Sequence, residues 1–139
     1  MKIVFDTNIY FSAFVFGKRI LQMTDFCFKN FEIYTSKELI EEVEAKFFGQ
    51  KIRKLAINYE SERATKFLDY IKDKSILIEV NQVVDLCRDK KDNMILELAQ
   101  EVYSDFIVTG DKDLLSISQI GNTKILKPVE FYSRIGLNL

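Results

Sequence analysis

Apolar positions gather into five short runs separated by longer periodic stretches. Ile3 to Phe5, Phe31 to Thr35, Ile76 to Val80, Phe106 to Thr109 and Lys124 to Leu126 have the length of buried strands, ~4 to 8 residues bounded by turn signals. Helical spacing fills the intervals. It predicts helices over 9–16, 19–29, 36–48 and 92–103, one or two helices over 50–73 with a break near Tyr59, and a last helix from Pro128 to Ile135. Pro128 suits a first helical position, where a missing N–H costs nothing, and Thr35 or Ser36 suits the cap of the 36–48 helix. Strands alternating with helices predict an α/β fold, a mainly parallel sheet of four to five strands with helices on both faces. In such sheets the ligand site lies outside the carboxyl ends of the strands.

Two acidic groups sit at those ends. Strand one runs Ile-Val-Phe into Asp6-Thr7-Asn8, and the fourth runs into Thr109-Gly110-Asp111-Lys112-Asp113. An Asp in this place can simply cap the next helix; two such ends in one short chain favour a shared acidic edge. Helix 92–103 adds a third group. At about 100° per residue, Asp92 falls on the face of Ile95, Leu96, Ala99, Val102 and Tyr103, so the carboxylate opens the buried side. Asp89, three residues earlier, can serve as the cap instead. In helix 36–48 the stripe Leu39, Ile40, Val43 and Phe47 puts Glu38 and Glu41 toward solvent and leaves Glu42 and Glu44 both at its margin. Periodicity does not choose between those two.

Composition narrows the chemistry. The 139 residues fit one domain, 1–139, and a hydrophobic share of 47% is enough for a sizeable core. There is no His, which removes imidazole acid/base work, Ser-His-Asp triads and His-containing zinc sites. The two Cys, Cys27 and Cys87, are too few for a four-Cys metal site and read as core residues of a chain from the reducing cytoplasm. No stretch approaches ~18 consecutive apolar residues and no long apolar run precedes the first strand, so neither membrane insertion nor secretion is expected. Clustered carboxylates repel unless they share protons or bind cations. With oxygen as the only donor, the cations are hard ions, Mg²⁺ or Mn²⁺, which suit phosphodiester hydrolysis. A net charge of −1 from 20 basic and 21 acidic residues means that a nucleic acid must be gripped by a local patch or through metal ions. Lys51, Arg53 and Lys54 are the candidates, with Arg63, Lys66, Lys18 and Arg19 beyond them.

The ordered set of these pieces resembles the PIN-domain nucleases, in particular the VapC-like toxins of prokaryotic toxin-antitoxin systems. It comprises Val4-Phe5-Asp6-Thr7-Asn8, the stretch Ser36 to Val43, Arg88-Asp89-Lys90-Lys91-Asp92-Asn93 with Leu96 to Ala99, Ile107 to Leu115, and Pro128-Val129-Glu130-Phe131. The resemblance implies a PIN-like three-layer α/β/α fold. It makes Asp6, Glu42, Asp92 and Asp111 the acidic quartet around one or two Mg²⁺ or Mn²⁺ ions, and so favours Glu42 over Glu44. Asp89 and Asp113 become accessory acids, and Thr7, Asn8 and Thr109 polar supports. The implied activity is an endoribonuclease leaving a 5′-phosphate and a 3′-hydroxyl, in a homodimer restrained by a cognate antitoxin. Two alternatives keep the fold: a housekeeping RNA-processing nuclease, and a non-catalytic RNA-binding or interaction module. A phosphotransferase forming an aspartyl-phosphate at Asp6 would want an acid at position 8, which is Asn.

Overall fold

The computed structural model describes residues 1–56 and 58–136; Ile57, inside the predicted helical stretch 50–73, and residues 137–139 lie outside the described residues. At its centre is strand β1 (Lys2–Phe5), whose Ile3, Val4 and Phe5 are fully buried, as befits a strand covered on both faces. The other strands are β2 (Glu32–Thr35), β3 (Ile76–Leu77), β4 (Phe106–Val108), β5 (Gln119–Ile120) and β6 (Thr123–Leu126), in the spatial order β3-β2-β1-β4-β6-β5. All neighbours are parallel except β5, which pairs antiparallel with β6. The mainly parallel, helix-flanked sheet is thus the expected one, with β5 as an added strand too short to leave a hydrophobic pattern.

From β1 the strand order runs one way through β2 and the other way through β4. The carboxyl ends of β1 and β4 therefore form the switch point of the sheet, where an open crevice is expected. Asp6 and Thr109 follow directly, and the Asp6 N–H donates to the Val108 carbonyl at 3.1 Å.

Helices α1 (Thr7–Phe16) and α2 (Lys18–Asn30) join β1 to β2. The reversal between them falls on Gly17, at φ 60°, a backbone conformation that costs other residues a Cβ clash. Helices α3 (Lys37–Phe47), α4 (Gln50–Leu55) and α5 (Ser61–Lys74) follow β2. Ser36 caps α3 by accepting from the Leu39 N–H at 3.2 Å. Phe14 of α1, Phe47 of α3 and Phe67 of α5 meet with ring centroids 5.1 to 5.7 Å apart, so the helices on either side of the future site are locked by one aromatic cluster. Helix α6 (Lys90–Val102) packs on β1, β2 and β4. Helix α7 (Lys112–Ile117), not predicted, follows β4, and α8 (Pro128–Arg134) closes the described chain.

The predicted strand 76–80 stops at Leu77. Beyond Ile78 the backbone leaves the sheet edge and runs along α6, whose side chains replace the missing strand partner. Glu101 accepts from the Asn81 N–H, Glu97 from Val84 at 3.1 Å, and Asn93 from Leu86 and Cys87 at 3.1 and 2.8 Å. These three acceptors recur every fourth residue on one helix face.

Candidate functional site

Asp6 stands at the N-cap position of α1, yet its side chain makes no capping bond. It turns into the protein instead, 5% exposed, where Oδ2 accepts from the Thr109 hydroxyl at 2.7 Å and Oδ1 from the Thr7 hydroxyl at 3.2 Å. Burial raises its pKa despite these bonds. Asp111 does cap: its Oδ1 accepts from the Asp113 and Leu114 N–H groups at 2.8 and 3.0 Å, which fixes the carboxylate at the start of α7. Thr109 ties the two together, since its hydroxyl oxygen accepts from the Asp111 N–H at 3.0 Å.

The cap of α6 is Asp89, which accepts from the Lys91 N–H at 2.9 Å. Asp92 is thereby released to the buried side. It is 8% exposed, and its pKa is pushed up to about 6, first by burial and then by Asp111, Asp6, Asp89 and Asp113. An oxygen from each of Asp92, Asp111 and Asp113 lies within 4.8 Å of the other two. Asp113 also pairs with Arg88 at 3.3 Å on the exposed rim.

Glu42 reaches the cleft from α3, and its Oε1 lies 3.2 Å from the Thr7 hydroxyl, sharing that group's single proton with Asp6 Oδ1, while Glu44 is exposed elsewhere. Asp6, Glu42, Asp89, Asp92 and Asp111 therefore line one cleft of about 160 Å³, with Thr7 and Asn8 on its α1 side. Every acid of the expected quartet is present there. Asp113 joins the same cluster through Asp92 and Asp111.

The basic candidates are placed less closely. Lys51, Arg53 and Lys54 lie on α4 and none lines the acidic cleft. Lys51 sits over the Phe11 ring and Arg53 over the Tyr59 ring. The cations that do line the cleft are Lys46 and Lys91, neither of which the sequence argument singled out. Lys46 had a legible signal, its i,i+4 spacing from Glu42.

All-oxygen donors, several carboxylates in reach of one another and an Asp whose pKa burial and neighbouring acids push up to about 6 fit a hard divalent cation. A family model described as the PIN domain matches residues 2–113. An uncharacterised protein of Methanocaldococcus jannaschii, MJ1680, is 34% identical over 119 residues, which cover 84% of this chain and 75% of the relative. Among solved structures, a chain of VapBC2 from Rickettsia felis, determined bound to a DNA fragment from their promoter, has the same fold with a TM-score of 0.61 at 16% identity, over 91% of this chain and 98% of that one. The match spans both strand-end acids and the helices that carry the others, and the chain accordingly belongs to the PIN-domain family.

Proposed function

We propose that the chain is a divalent-metal-dependent endoribonuclease and the toxin of a toxin-antitoxin pair. The observation that carries the catalytic part is the convergence of Asp6, Glu42, Asp92 and Asp111 on one cleft at the switch point of the sheet. Asp92, Asp111 and Asp6 would hold Mg²⁺ or Mn²⁺, with Asp113 as a further oxygen donor. A divalent ion bound there supplies positive charge at the scissile phosphate and lowers the pKa of water.

The chain's own groups do the rest. Thr7 and Thr109 fix the Asp6 carboxylate in one orientation, and the backbone N–H groups of Asp113 and Leu114 fix Asp111. Glu42, steadied by the Thr7 hydroxyl, accepts the proton of the attacking water at a carboxylate oxygen. In-line attack on phosphorus breaks the bond to the 3′ oxygen, which takes up a proton, leaving a 5′-phosphate and a 3′-hydroxyl.

The toxin assignment rests on the motif resemblance and is supported by the shared fold with a VapBC2 chain. It brings with it a small antitoxin that covers the acidic cleft, and a homodimeric state. Incubating the purified chain with single-stranded RNA and Mg²⁺ or Mn²⁺, then determining the end chemistry of the fragments, tests the activity. Cleavage to 5′-phosphate ends that disappears in both Asp6→Asn and Asp92→Asn is expected; equal cleavage by wild type and both variants contradicts it. A short reading frame found adjacent to the gene would be the candidate partner, and on co-expression its product should co-purify and suppress cleavage.

A further inference from the structure

The acidic cleft has a cation built into its wall. Lys46, one turn beyond Glu42 on α3, turns its ammonium toward α1, with Nζ 3.0 Å from Thr7 Oγ1, 2.7 Å from Asn8 Oδ1 and 3.4 Å from Glu42 Oε1. An ammonium has three protons: two are taken by the hydrogen bonds to Thr7 and Asn8, while Glu42 at 3.4 Å is an ion-pair contact, which leaves the third proton for a further acceptor. A helix ion pair alone needs only Glu42. The added bonds to Thr7 and Asn8 give the head group a fixed address, while the side chain stays 29% exposed and reachable.

Lys46 and Asn8 also form the wall of an adjoining cavity of about 430 Å³, which Phe11, Gln50 and Lys51 help to line. No carboxylate lines that cavity. The ridge carrying Lys46 thus separates a cleft with five carboxylates from a hollow whose charged groups are lysines. A polyanionic strand with one phosphate in the cleft meets strong repulsion from the carboxylates there, whereas across this ridge the charged lining groups are the cations Lys46 and Lys51.

Resting on the nuclease reading, we propose that Lys46 is a substrate-positioning residue: its ammonium binds a non-bridging oxygen of the RNA phosphate that crosses the ridge, and the strand continues past Lys51. Thr7 and Asn8 hold the ammonium in line for that contact. The contact positions the backbone and reads no base, so it acts alike on all sequences.

Equilibrium binding of a short fluorescein-labelled single-stranded RNA to the Asp92→Asn chain, followed by anisotropy across a salt series with Mg²⁺ present, tests this. Adding Lys46→Met should weaken binding roughly tenfold, the worth of one charge-assisted contact. It should also reduce the slope of log K against log salt by about 0.7, one phosphate contact on a single strand. Lys46→Arg, which keeps the charge, should retain most of the affinity. The same Lys46→Met change is then made in an Asp92→Asn, Glu42→Gln chain, where no ion pair remains to be broken. A loss of similar size supports the phosphate contact; no further loss reduces Lys46 to a counter-ion of Glu42 and overturns the proposal. Unchanged affinity and slope for Lys46→Met, in a protein whose wild type cuts RNA, overturns this inference alone. Absence of both cleavage by the wild type and binding by Asp92→Asn removes the nuclease reading, and the role of Lys46 with it.

Discussion

Asp92 concentrates the electrostatic conflict of the site. Folding buries its carboxyl beside Asp111 and Asp6, raising the pKa from 3.8 to about 6. A carboxyl whose pKa is raised binds more protons folded than unfolded, so its effect on stability is neutral below the unfolded value and turns unfavourable as pH rises through about 4 to 6. Above that window the ionised group opposes folding by at most about 3 kcal/mol. Metal-free Asp92→Asn should therefore melt above the wild type at pH 7 and match it near pH 4. Saturating Mg²⁺ or Mn²⁺ at pH 7 should close that gap by stabilising the wild type alone. A gap independent of pH would show that repulsion is not its source. Thr109 has a different task, joining the Asp6 carboxylate to the Asp111 backbone with one buried hydroxyl. Thr109→Val keeps the shape and removes both bonds, and should cost about 1 to 3 kcal/mol in thermal or urea unfolding. Its loss of cleavage rate should exceed what the lost stability explains at a temperature where the variant is folded.

At the scale of elements, α6 was the most legible part of the chain. Asp92, Ile95, Leu96, Ala99 and Val102 share a face and are buried, but Tyr103, expected on the same face, is the left-handed C-cap that ends the helix and is exposed. Strand ends were legible for the same reason: a run such as Ile3 to Phe5 has no use except as a buried strand, so the Asp that follows must lie at the sheet edge. Residues 78–88 were not legible, because their backbone is held by Asn93, Glu97 and Glu101, and a bond between a side chain and a distant N–H has no period. Helix α7 was missed because it is six residues long, too short to show helical spacing, although its cap Asp111 was noticed for its charge. Asn93 is nearly buried and also donates to the Cys87 carbonyl at 3.0 Å, so it fastens the segment that leads into Asp89. Asn93→Ala should cost about 1 to 3 kcal/mol through the three part-buried backbone bonds it removes at Leu86 and Cys87. Amide exchange at Leu86 and Cys87 should accelerate far more than in the strands. Uniform acceleration across the molecule would mean that Asn93 supports the whole fold and not this segment.

For the molecule as a whole, a net charge of −1 conceals a division. One end of the sheet gathers five carboxylates into a single cleft, while α4 nearby carries Lys51, Arg53 and Lys54. The missing His acquires a meaning in this setting: a site of carboxylates alone fits a hard cation and has no imidazole to fall back on. That dependence can be measured without any knowledge of the RNA that is cut. Calorimetric titration of the metal-free protein with Mn²⁺ at pH 7.5, repeated with Asp6→Asn and at pH 5, addresses it directly. The account predicts saturable binding at pH 7.5 that Asp6→Asn abolishes and that weakens at pH 5, where Asp92 takes up a proton. Absence of binding by the wild type, or a site equally strong in Asp6→Asn, would contradict it.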